Sequence, residues 1–121
     1  MIKENIKIDI KSKRLTATLK GIGFKEGEYF IIYIPSLNVS GYGVTEQEAN
    51  ELVKITLENF SEELFKMNEN KIFEQLKSLG WQKNRIFNKR MSNLSETTFE
   101  DIIKEFNLPK ETKLQEMPIA V

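Results

Sequence analysis

Between Ile6 and Ile10 apolar and charged residues alternate, with Ile6, Ile8 and Ile10 set against Lys7 and Asp9. This is the period of two of a strand with one buried face. A polar turn at Lys11-Ser12-Lys13 leads into Leu15, Ala17 and Leu19, interleaved with Thr16 and Thr18. Gly21, Gly23 and the Lys25-Glu26-Gly27-Glu28 stretch supply turn chemistry. Tyr29 to Ile34 is apolar on both faces and rich in β-forming residues, as a central strand requires. Pro35 ends it, because proline donates no hydrogen bond to a ladder. Val39 to Val44, with Gly41 and Gly43, reads as a further short strand.

At Thr45 the period changes. Thr45-Glu46-Gln47-Glu48 fits a capping box, in which the Thr hydroxyl takes an orphan backbone N–H and Glu48 reaches back to the cap. Ala49, Leu52, Val53, Leu57, Phe60 and Leu64 then form a helical stripe that must lie on the sheet. Glu46 and Glu48 suit the positive end of the helix dipole. A second helix is expected from Asn70 to Leu79, with Gly80 as its left-handed stop and Trp81 folding back on Leu76. Gln82 to Met91 reads as extended or hairpin-like. A third helix is expected from Ser95, with Leu94 and Phe99 spaced as a hydrophobic staple. It carries Phe99, Ile102, Ile103 and Phe106 and ends at Asn107-Leu108-Pro109. Thr112 to Val121 is left as a strand or a loose tail.

The class is therefore α+β: a small antiparallel sheet of three or four strands, packed by one long helix and followed by two shorter helices. Residues 1–67 are expected to form the sheet-plus-helix core. Residues 68–121 are expected to form a helical accessory or oligomerisation extension.

Composition changes this picture mainly by exclusion. The 121 residues carry 18 basic and 18 acidic side chains, so no global field argues for nucleic acid or an anionic membrane. No apolar run is long enough to span a bilayer, and the charged N-terminus is unlike a signal peptide, so a cytoplasmic location and no membrane contact are expected. The absence of cysteine agrees with that location. With neither cysteine nor histidine, there is no thiolate, no imidazole base and no His- or Cys-ligated metal. Asp9 and Asp101 are the only aspartates. No metal or cofactor is expected.

A strand followed by Pro35-Ser36-Leu37, a short loop, Gly43-Val44-Thr45 and Glu48-Ala49 opening a helix is an ordered set of motifs. It resembles the HicB antitoxin family, whose usual pattern is a strand ending in Pro-Asp-Leu, then Gly-Asp-Thr, then Glu-Ala at a helix start. The resemblance covers residues 21–67, and its motif positions are Pro35, Leu37, Gly43, Thr45, Glu48 and Ala49. Ser36 and Val44 depart from the family's aspartates, and the strand around Ile6 to Ile10 is an addition to the family core. The resemblance implies a partial ribonuclease H fold that binds and neutralises a small ribonuclease toxin, often as an oligomer. Many family members add a DNA-binding segment. Nothing after Met67 matches one, and Trp81 to Asn93 is too long for a helix-turn-helix turn, so sequence-specific DNA reading by this chain alone is not expected.

Three further features invite chemistry. A ribonuclease H site needs carboxylates converging on metal ions, but Asp9 is the only strand aspartate and Glu46, Glu48, Glu51 and Glu58 lie off the apolar stripe. The basic residues Lys83, Arg85, Lys89 and Arg90 are interleaved with Trp81 and Phe87. They suit phosphates or an acidic partner, or they simply face water on a strand. Tyr29 and Tyr33 share a strand face and suit a pocket or a core, while Gly41-Tyr42-Gly43 lacks P-loop spacing and reads as turn geometry. The leading expectation is a non-catalytic module that binds a small toxin-like protein through a basic–acidic or β-edge contact. The alternative is a stand-alone homo-oligomeric structural or regulatory domain.

Overall fold

The computed structural model describes residues 4–83, 90–93 and 112–120. The helix expected over Ser95 to Phe106 lies outside them. The order is β1 (Asn5–Asp9), β2 (Arg14–Glu26), β3 (Tyr29–Ile34), β4 (Val39–Gly43), α1 (Glu46–Phe65), α2 (Glu69–Ser78), β5 (Trp81–Lys83), β6 (Arg90–Asn93) and β7 (Lys113–Ala120). Every strand pairing is antiparallel, and the class is α+β as the pattern implies.

Among the described residues the expected antiparallel sheet of β1 to β4 is joined by three further strands, making seven. The extra ones are β5, β6 and β7, from stretches too short or too mixed to show a clear alternation. A second correction concerns β2. Gly21 and Gly23 sit inside this 13-residue strand, and the turn is only Gly27-Glu28. Gly27, at φ 60, supplies the left-handed residue that a two-residue hairpin needs. At Gly21 the Met117 side chain, reaching over from β7, fills the space a Cβ would take.

The length of β2 lets it hold three neighbours. Thr16 to Thr18 pair with both β1 and β7, while Ile22 and Gly23 pair with both β3 and β7. A strand has two hydrogen-bonding edges, so β7 occupies one, and β1 and β3 lie end to end along the other. Between them the backbone N–H of Lys20 meets no described strand. It donates instead to the Glu4 carboxylate at 3.0 Å, and the Ser36 hydroxyl donates to the same oxygen at 2.6 Å.

One face of the sheet is covered by the helices, giving two layers around one core. Ile6, Ile8, Leu15, Ala17, Leu19, Ile32 and Ile34 meet Ala49, Val53, Leu57 and Leu64 of α1 and Ile72 and Leu76 of α2. Leu52 and Phe60, expected on the same stripe, are half-buried at its margins. Gly80, at φ 97, ends α2 as expected, and Trp81 joins Leu76 in the core. The Trp81 indole N–H donates to the carbonyl of Ser36 at 2.9 Å, tying β5 to the β3–β4 turn. No helix among the described residues is long and apolar enough to cross a membrane.

Candidate functional site

The motif residues build the joint between sheet and helix. Leu37 is buried in the turn after Pro35, whose carbonyl accepts from the N–H of Asn38 at 3.2 Å. Thr45 caps α1: its hydroxyl accepts from the N–H of Glu48 at 3.1 Å. The Glu48 carboxylate reaches back one residue further than a capping box requires, to the N–H of Val44 at 2.9 Å. Ala49 is fully buried. Gly41 and Gly43 are not turn glycines. A Cβ on Gly41 would lie 2.4 Å from the backbone nitrogen of Val53, and one on Gly43 would lie 2.8 Å from that of Ala49. The backbone of α1 therefore rests directly on β4, and only glycine permits that approach.

The carboxylates singled out for metal chemistry are engaged locally. Asp9 accepts from the N–H of Ser12 in its own hairpin, while Glu48 serves the helix start. Among the described residues no three acidic side chains gather where they would hold a cation. Of the basic set, Lys83 ends β5 opposite Met91, and Arg90 opens β6 opposite Lys7. Arg85 and Lys89 lie outside the described residues.

Two further features of the surface stand out. The first is the charge of α1: Glu46, Glu48, Glu51, Glu58, Glu62 and Glu63 stand against a single basic residue, Lys54. The glutamates of the first turn favour the helix dipole. Those of the last two turns oppose it, and the last turn has no basic residue. Glu58 and Glu62 are like charges at i, i+4, which costs further tenths of a kcal/mol. Just beyond the helix, Lys66 pairs with Glu63 at 2.8 Å, and that hydrogen bond together with the Glu63 charge raises the Lys66 pKa above its ordinary value. Lys66 offsets Glu63 and, by charge, Glu62, and the helix remains strongly acidic, with six glutamates against Lys54.

The second feature is the outer edge of β4. The two-residue turn makes Glu26 and Tyr29 the closing bonded pair of the β2–β3 hairpin, and bonded residues alternate from there. Tyr29, Ile31 and Tyr33 thus bond to β2, while Phe30, Ile32 and Ile34 bond to Gly43, Gly41 and Val39. The backbones of Ser40 and Tyr42 point the other way, to the end of the sheet, where no described strand meets them. The edge runs Val39-Ser40-Gly41-Tyr42-Gly43 without a charge or a proline, two of the devices that discourage strand addition.

Tyr29 and Tyr42 pack edge-to-face beside this edge, their centroids 5.9 Å apart, on the sheet face away from the helices. They are 49% and 61% exposed, so Tyr29 is not the core residue that its strand position suggested. Tyr33, half-buried, donates to the side-chain oxygen of Asn38 at 3.1 Å. The aromatic side of the edge could have been suspected from Tyr29 and Tyr42; its openness depends on strand order, which no local signal carries.

Comparison with models of known protein families, with curated proteins and with solved structures finds no match.

Proposed function

We propose that this chain is a non-catalytic binding module, similar in role to the HicB antitoxins, and that it holds a small basic protein such as a ribonuclease toxin. The observation that carries the reading is the acidic surface of α1. Its glutamates continue into the end of the helix where they oppose the dipole. The six glutamates far outnumber their local basic partners, Lys54 and Lys66, and a cationic partner gains from them through steering and charge complementarity. An RNA-cleaving enzyme must attract phosphate and is generally basic where it does so, so an acidic helix is a suitable blocker. The resemblance over residues 21–67 points to the same role, because the family-like Glu48-Ala49 lies in the first turn of α1.

The test is co-expression with the product of a short neighbouring reading frame, chosen for a toxin-type Gly-Ser-His motif. The expected result is a stable complex on size exclusion and relief of the growth arrest that the neighbour causes alone. Independent migration of the two proteins, with arrest unrelieved, would overturn the reading.

A further inference from the structure

We infer that the outer edge of β4 takes up an extended segment of a basic partner protein as an additional antiparallel strand. The inference rests on the chain being a protein-binding module and names where and how it binds. Ser40 and Tyr42 each direct a backbone N–H and C=O outward, so a segment laid alongside forms two bonded pairs with them, the mode of strand addition.

The position of α1 decides what can dock. Its backbone rests on Gly41 and Gly43, so the helix stands over the edge strand itself. Pairing with β4 of a second copy would place two such helices on the same side of a continuous sheet. Their strands would be about 4.8 Å apart, whereas packed helices need about 8–10 Å between axes. Among the described residues the edge is therefore closed to antiparallel pairing with a second copy and open to a strand that carries nothing on its helix side.

The same geometry sets the preferred residues. Beside Gly41 the incoming strand lies under the flank of α1, and small side chains fit there. On the other face it lies beside Tyr42 and Ser40, both exposed, where a large or aromatic side chain gains contact. Charge selects the flanks: Glu46, Glu48 and Glu51 lie on the half of α1 that covers β4, so lysine or arginine on either side of the bound segment is favoured.

The experiment uses the full chain and a blocked synthetic peptide, Lys-Lys-Val-Ala-Tyr-Ala-Val-Lys-Lys, with residue-resolved hydrogen exchange as readout. A second peptide has both alanines replaced by leucine. A third is N-methylated at the tyrosine and valines, which removes its donors toward β4. The expected result is exchange slowed at least about tenfold at the Ser40 and Tyr42 amides by the first peptide. Affinity should fall at least about tenfold for each of the other two, and with added salt for all three. Tyr42→Pro, which removes a donor that β3 does not use, should abolish binding while the β3–β4 ladder stays protected. Unchanged exchange at both amides, equal binding of the N-methylated peptide, the same protection by a single-stranded oligonucleotide, or protection that grows with protein concentration alone would each overturn the inference. If a basic protein co-purifies with the chain while both amides exchange freely, this docking site is wrong and the proposed function stands.

Discussion

Replacing Gly41 with alanine places one methyl group where α1 meets β4. The added Cβ would lie 2.4 Å from the nitrogen of Val53, 2.7 Å from the carbonyl oxygen of Ala49 and 2.8 Å from the Val53 Cα. All three are backbone atoms, so no side chain can rotate away. Relief requires the helix to lift by about 1 Å, and a gap of that size forfeits a quarter to a half of each dispersion contact beneath it. Ala49, Val53 and Leu57, all fully or almost fully buried, supply those contacts. Overpacking of this kind costs about 1–3 kcal/mol, and rigid opposing atoms put it near the upper end. Alanine's smaller unfolded-state entropy returns about 0.4–1 kcal/mol. The net expectation is a loss of about 2 kcal/mol, a large share of a typical domain's stability. Urea unfolding followed through Trp81, the sole tryptophan and fully buried, measures it directly. Gly27→Ala is the control, since nothing lies near its Cβ and only the positive φ resists it, at a cost of about 1 kcal/mol. A Gly41→Ala midpoint within about 0.5 kcal/mol of the parent would refute the close seating of helix on strand, and with it the exclusion of a second copy from the edge.

Three other outcomes follow from the same contacts. Thr45→Ala removes the oxygen that takes the Glu48 N–H and should cost about 0.5–2 kcal/mol in denaturant melts, leaving binding at saturation unchanged. Trp81→Phe keeps most of the bulk but leaves the buried Ser36 carbonyl without its donor; circular-dichroism melts should show a loss of about 1–3 kcal/mol. Incubation of the chain with labelled RNA and Mg²⁺ or Mn²⁺ should give no cleavage; turnover that disappears in Glu48→Gln or Asp9→Asn would contradict the binding-module reading.

The elements most legible in the sequence are those whose signals are local. The capping box at Thr45 and the stripe from Ala49 to Leu64 place α1 to within a residue, and Gly80 marks the end of α2. The N-cap of α2 is equally local, since Asn68 accepts from the N–H of Lys71 at 3.0 Å, two residues before the Asn70 start that the apolar pattern suggests. What stayed hidden depends on distant partners. Gly21 and Gly23 look like turn residues until β7, some ninety positions later, pairs along β2. Gly41 and Gly43 look the same until α1 is seen resting on them. The candidate site divides likewise. The glutamates of α1 are plain in the sequence, but only the helix ends show which of them oppose the dipole. The edge of β4 becomes visible only once strand order is known.

The central claim, that the acidic surface of α1 holds a basic partner, is tested most directly by reversing charges that the fold does not need. In Glu51→Lys/Glu62→Lys, Glu51 loses only a surface contact with Gln47, and Glu62 becomes a cation in the last turn of the helix, where the dipole favours one by a few tenths of a kcal/mol. The full chain and this variant are used in parallel to capture partners from the native cell and are then titrated with the recovered protein at low and physiological salt. The account predicts a fold within about 0.5 kcal/mol of the parent, because the dipole gain is offset by a like-charge contact with Lys66, a basic partner, and affinity at least about tenfold weaker with a shallower salt dependence. An acidic partner, or equal affinity of parent and variant at both salt concentrations, would contradict it.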